Sequence, residues 1–212
     1  QVVAPDVDID FIAGPSEVLI IADESANPKF IAADLVAQAE HDAEAAAVLV
    51  TTSEELAKTV REEARKMVRA STRWNISVRA LAKYGRIIVV KTIEEAVEFA
   101  NSYAPEHLEL LVKNPRKLLK SIKNAGSVFI GEYSPVAAGD LAVGVNHILP
   151  TGGNARRRSG LSVLHFLKLP TVQQLTKSGL SRIADIIENL AGVEGLPGHA
   201  ASVKVRLEDR RE

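Results

Sequence analysis

Short runs of apolar and β-branched residues alternate along this chain with longer stretches in which apolar positions recur at helical spacing. That is the pattern of a parallel sheet covered by helices, an α/β fold. The runs predict strands at Val18–Ala22, Ala47–Thr52, Arg86–Lys91, Leu108–Val112 and Ser127–Ile130, and Val7–Ile12 reads as a further strand. Helical spacing predicts helices over Pro28–Ala45, Ser53–Val68, Thr92–Tyr103 and Pro115–Asn124. Pro28 suits a first helical turn, where its missing N–H would be unpaired in any case. Thr92-x-x-Glu95 has the form of a capping box, and Asn124-Ala125-Gly126 offers a left-handed cap to end the helix before it.

From Gly131 to Gly160 the periodicity gives way to a stretch rich in Gly, Pro, Ser and Asn, longer than an ordinary connection and of the kind that carries function. Leu175–Leu190 resumes a helical period, Gly192 to Gly198 interrupts it, and Ala200–Arg210 reads as a short charged tail. The expected organisation is an α/β domain over residues 1–160 and a small, mainly helical appendage over 161–212.

Composition narrows the chemistry. Hydrophobic residues make up 46% and charged residues 25% of the 212, proportions of a soluble globular protein. The 26 basic and 27 acidic residues are mixed and the net charge is −1, so no broad basic face is expected for nucleic acid. No apolar run approaches the roughly 20 residues of a membrane helix. There is no cysteine, so any metal must be held by histidine, carboxylate or amide groups, which fits a cytoplasmic setting. Gln1-Val2-Val3-Ala4-Pro5 has no initiator methionine and no leader pattern, so Gln1 reads as a point inside a longer protein.

Four constellations stand out. Gln38 and His41 lie three apart in a predicted helix, so both project from nearly one face, as two ligands of one metal or as part of a solvated polar face. Glu106 and His107 follow Pro105 at a helix-to-strand junction. Adjacent residues entering a strand point to opposite sides, so the two acid/base groups have separate jobs or form an exposed polar edge. Asp140 and His147 sit in the long glycine-rich stretch. Glu194 and His199 flank Gly195-Leu196-Pro197-Gly198, where turn chemistry holds a histidine near the end of the chain. Arg156-Arg157-Arg158 reads as solvated or as a phosphate grip, and His165, among apolar neighbours, as structural.

Taken in order, these segments resemble histidinol dehydrogenases. The resemblance runs through Ala13-Gly14-Pro15-Ser16-Glu17, Gln38-Ala39-Glu40-His41, Ala104-Pro105-Glu106-His107-Leu108, Gly139-Asp140, Asn146-His147-Ile148-Leu149-Pro150-Thr151, Thr171-Val172-Gln173 and Glu194-Gly195-Leu196 with His199. It implies an incomplete Rossmann-like sheet and the zinc-dependent, NAD-linked oxidation of L-histidinol to histidine through histidinaldehyde. By the same resemblance Gln38, His41, Asp140 and His199 ligate zinc and help bind substrate. His107 takes the hydroxyl proton and Glu106 activates water on the aldehyde, while Ser16, His147 and Glu194 contact substrate. The family is a homodimer whose C-terminal segment crosses to the partner, so Glu194 and His199 would complete the other subunit's site.

The sequence departs from the family at Leu141, Val143 and Val145, where an aromatic and small polar residues are usual. It also lacks the N-terminal half, which in the family supplies the glycine-rich nucleotide site; no G-x-G-x-x-G occurs here. Two other classes fit the residues alone: a zinc hydrolase using Glu106 with metal-bound water, and a silent metal-binding or dimerising remnant.

Overall fold

The computed structural model describes residues 14–208, so the strand expected at Val7–Ile12 lies outside the described residues. Among them, five strands form one parallel sheet: β1 (Glu17–Ala22), β2 (Ala46–Thr51), β3 (Arg86–Val89), β4 (His107–Leu111) and β5 (Ser127–Ile130). Their order is β3-β2-β1-β4-β5, which matches five of the six positions of a doubly wound sheet. β1 and β4 lie side by side at the centre, with Val18 opposite His107. All five expected strands are present, to within a residue or two at the ends.

Helices cover both faces because alternate strand residues point to opposite sides. Val18, Ile20, Ala47, Leu49 and Leu111 pack with α1 (Pro28–Ala39) and α2 (Glu54–Ala70). Leu19, Ile21, Val48, Val50, Leu108 and Leu110 pack with α4 (Ile93–Tyr103) on the other face. The three inner strands, β1, β2 and β4, are buried from both sides and almost wholly apolar, while β3 and β5 at the edges are partly exposed. Two carboxylic residues, Glu17 and Glu109, break that rule.

Several elements differ from expectation. Helix α1 stops at Ala39 rather than Ala45, with Pro28 at its first position as foreseen. The Asp42 carboxylate accepts from the Glu44 N–H, and this local turn displaces further helix. His41 therefore lies just past the helix that holds Gln38, although its N–H still donates to the Gln38 carbonyl at 3.2 Å. Residues Trp74–Tyr84 form a helix, α3, that periodicity did not disclose: its N-terminus has no side-chain cap, and Trp74, Asn75, Ile76, Ser77 and Val78 are weak helix formers. Thr92 caps α4 through the Glu95 N–H, but Glu95 reaches back to the Lys91 N–H, one residue beyond a true capping box.

Helix α5 (Pro115–Leu119) is shorter than predicted, because the Asn101 side chain bonds the backbone of Ser121, Lys123 and Asn124 and draws that stretch out of helix. No left-handed cap forms at Asn124-Ala125-Gly126. Instead the Gly126 N–H donates to the Pro105 carbonyl, and its missing side chain allows backbone contact with Glu106. The left-handed residue is Ala104, with φ 56°, which ends α4 just before Pro105. Within the long glycine-rich stretch a six-residue helix, α6 (Val136–Leu141), carries Asp140. His165 is exposed and its Nδ1 meets Ser162, so it is not the apolar structural residue expected.

The chain divides into two compact units after Phe166. In the second, α7 (Lys177–Val193) is capped by Thr176 and ends at Gly195, with φ 70°, where the Leu196 N–H returns to the Ala191 carbonyl. Pro197–Glu208 is a helix, α8, not a charged tail, and His199 lies in its first turn rather than in an open loop. The two helices pack together.

A Cβ at residue 126 would stand 2.6 Å from the Glu106 carbonyl oxygen. Gly126→Ala therefore costs about 1–3 kcal/mol through forced backbone movement. Thermal melts followed by circular dichroism should show a clear fall in Tm. Gly192→Ala, whose Cβ meets nothing in α7, should by contrast gain about 0.5–1 kcal/mol.

Candidate active site

Helix α1 begins at the carboxyl end of β1 and runs back, so its last turn returns to the amino ends of the strands. There Gln38 and His41 meet Glu106 and His107 at the start of β4, Asp140 of α6, and Ser16 just ahead of β1. They line one cleft of about 390 Å³, which His147 also enters, a size suited to a small-molecule ligand. Ligands of doubly wound sheets usually sit at the carboxyl ends of the strands; this cleft is at the opposite edge. Seven of the nine residues singled out in the sequence thus share one cavity. Glu194 and His199 belong to the second unit.

Glu17 organises the floor, and sequence reasoning did not single it out. Its N–H donates to Glu106 Oε2 at 2.9 Å, and its carbonyl meets His107 Nδ1 at 3.1 Å. A carbonyl only accepts, so Nδ1 must carry the proton, and the Glu106 carboxylate 3.5 Å away reinforces that choice. The other ring nitrogen, Nε2, is then left with a free lone pair, buried and without a hydrogen-bond partner. Asp140 Oδ1 stands 3.6 Å from it. Burial pushes the His107 pKa down, more than the Glu17 carbonyl and Asp140 raise it, so the imidazole is neutral at pH 7.

Glu106 is pushed the other way, up to about 7, first by burial and then by the neighbouring charges of Glu17 and Asp140; the Glu17 N–H and the Ser16 hydroxyl partly offset this. Such a carboxyl exchanges its proton near neutral pH, the property of a general base or acid. The Glu17 side chain points to the other face of the sheet. There it accepts from the Gly152 N–H at 2.8 Å and bonds the Tyr103 hydroxyl, so one residue fastens the Thr151–Gly152 loop, α4 and both acid/base groups. Glu106 and His107 do not diverge as an alternating strand would require, because the strand begins at His107 and Glu106 precedes it.

For a metal, Gln38, His41 and Asp140 offer an amide oxygen, an imidazole nitrogen and a carboxylate, donors that suit zinc. Among the described residues no three His, Asp or Glu side chains form a metal-binding group. The turn from β1 to α1, Asp23-Glu24-Ser25-Ala26-Asn27, contains no glycine, so the phosphate-binding turn of a dinucleotide fold is not built here. Of the arginine run, Arg156 is tied to the Ser102 carbonyl at 2.7 Å and has a structural partner. No helix among the described residues is long and apolar enough to cross a membrane.

The family model described as histidinol dehydrogenase matches residues 1–207. The histidinol dehydrogenase of Methanothermobacter thermautotrophicus is 52% identical over 209 residues, covering 99% of this chain and 49% of its own. That of Lactococcus lactis is 51% identical, covering 96% and 47%. The crystal structure of histidinol dehydrogenase from Elizabethkingia anophelis superposes with a TM-score of 0.92 at 45% identity, over 95% of this chain and 46% of that one. The chain spans about half the length of the curated relatives it matches. Sequence and fold agree that this chain belongs to the histidinol dehydrogenase family.

Proposed function

We propose that this chain supplies the acid/base and metal-binding part of an enzyme that oxidises L-histidinol to L-histidine through histidinaldehyde. The observation that carries the reading is the His107 ring, held by the Glu17 carbonyl so that a neutral, unpartnered Nε2 faces the cleft beside a carboxyl titrating near 7.

In this reading His107 Nε2 accepts the proton of the substrate hydroxyl in the first oxidation. Glu106, once ionised, accepts a proton from the water that adds to the aldehyde carbonyl in the second. Two bases on adjacent residues suit a reaction that releases protons at two stages. Gln38, His41 and Asp140 would hold zinc, with His199 from another copy of the chain as fourth ligand; when bound, zinc orients the imidazole and amine of the substrate. Ser16, His147 and, from the second unit of the other copy, Glu194 contact the substrate. The second unit leaves Ile186, Leu190, Val193 and Val205 exposed along its two helices, which supports a homodimer with exchanged C-terminal segments. The NAD that takes the hydride would be bound by the half that the relatives have in addition, and no residue here is assigned to it. The glycine-free turn also favours a second reading, a module that binds metal or dimerises without turnover.

Mixing this chain with the N-terminal half of the M. thermautotrophicus relative, zinc and NAD should give NADH from histidinol. Complete inactivity of that mixture would favour the silent module. In the active mixture His107→Asn should lower the rate by about 10²–10⁴-fold, while Glu106→Gln should still release histidinaldehyde after one NADH and lose the second oxidation.

The raised Glu106 pKa also has a stability signature. Its protonated form is favoured in the folded state, so its contribution is complete below the unfolded value of 4.5 and is lost as pH rises through about 7. Denaturant titrations from pH 5 to 8 should show wild-type stability falling more steeply than that of Glu106→Gln. Equal slopes would mean that Glu106 is not protonated in the folded chain near neutrality.

A further inference from the structure

Glu109 stands two residues beyond His107 on the same face of β4 and is only 1% exposed. Its Oε1 accepts from the Val136 N–H at 3.1 Å, while Oε2 is buried with no donor. The group it meets is the carboxyl of Asp34, on α1 and on the wall of the active-site cleft. Two ionised carboxylates have no donor to offer each other, so one of them must carry a proton for the contact to be a hydrogen bond. Burial, together with the mutual proximity, pushes Glu109 up to about 8, and burial pushes Asp34 up to about 6.

The contact at Val136 anchors the second helix after β4 in the chain, α6. Val136 opens α6, a helix of six residues whose N-cap, Pro135, makes no side-chain capping bond. The Glu109 carboxyl takes over that task from a neighbouring strand. Asp140 lies four residues on, one turn along the same side of α6, with its carboxylate facing His107 Nε2. Asp34 in turn precedes Gln38 by one turn of α1. Beneath the cleft, the Glu109 carboxyl therefore ties the helix bearing Asp140 to the strand bearing His107, with Asp34 of the helix bearing Gln38 beside it.

We infer that Glu109, through the hydrogen bond its carboxyl accepts from the Val136 N–H, is a positioning residue that pins the start of α6 and so sets Asp140 opposite His107. What Asp140 then does, whether holding metal or substrate, rests on the proposed function; the pin does not.

Hydrogen exchange of the whole chain tests it, with Glu109→Gln and Glu109→Leu compared with wild type. Glutamine keeps a carbonyl for Val136 and offers N–H donors to Asp34, so the amides of Ala142 and Val143, which close α6 on the Ala138 carbonyl, should keep their protection. Leucine removes the acceptor, and those amides should exchange about 10-fold faster while those of β1 and β2 are unchanged. Wild-type protection of α6 in Glu109→Leu would overturn the pin, and so would a Glu109→Gln variant as loose as Glu109→Leu. If the leucine variant does not fold, the glutamine variant decides alone: retained protection supports the pin and faster exchange overturns it. Zinc affinity of the reconstituted enzyme separates the two ideas. Faster α6 exchange with unchanged zinc affinity keeps the pin and removes Asp140 from the metal.

Discussion

The two hydrogen bonds from the backbone of Glu17 are the constraint on which the site depends. One amide and one carbonyl at the start of the central strand hold two neighbouring side chains at the entry to β4, and they treat them oppositely. The amide gives Glu106 a donor, so its carboxylate is tolerated in a buried place. The carbonyl demands a proton from His107 Nδ1, so the lone pair of the ring is directed into the cleft. These bonds follow from the register of β1 with β4, which places Val18 opposite His107 and so sets Glu17 just ahead of it. Sheet topology and acid/base chemistry are here one arrangement.

Burial does the rest of the electrostatic work. The inner strands are closed on both faces by apolar packing, so carboxyl and imidazole groups buried against them are shifted toward their neutral forms. His107 is depressed and Glu106, Glu17, Glu109 and Asp34 are raised, each with burial as the leading cause. A neutral imidazole beside a carboxyl titrating near 7 is a useful pair, and it comes from placing polar residues at positions where a parallel sheet ordinarily has valine or leucine.

Much of this was legible in the sequence and some was not, for identifiable reasons. The five strands were plain because each is a short, mainly apolar and β-branched run between turn residues. Helix α3 was not, because Ser77 and Ala80, its buried positions, are too small to print a hydrophobic stripe and Arg73 gives no cap. Helix α6 was hidden by its length and by Gly139, which is there because Phe129 leaves no room for a side chain. Gln38, His41, Glu106, His107 and Asp140 were legible as chemistry, but their convergence needed the resemblance, since no spacing relates residue 38 to residue 140. Glu17, Asp34 and Glu109 were missed as functional candidates. Their signal was present in Glu17 ahead of Val-Leu-Ile-Ile and Glu109 within Leu-Glu-Leu-Leu, acids where a two-sided apolar strand should have none.

The protonation of the His107 ring decides whether the cleft holds a base, and nitrogen NMR of the histidine side chains measures it directly. In 15N-labelled protein at pH 7, the His107 ring should show Nδ1 with the shift of a protonated, pyrrole-like nitrogen and Nε2 with that of an unprotonated one, and Glu106→Gln should leave that assignment in place because the Glu17 carbonyl remains. A ring protonated on Nε2, or a charged imidazolium at pH 7, would contradict this assignment of the base, because neither leaves a lone pair facing the cleft.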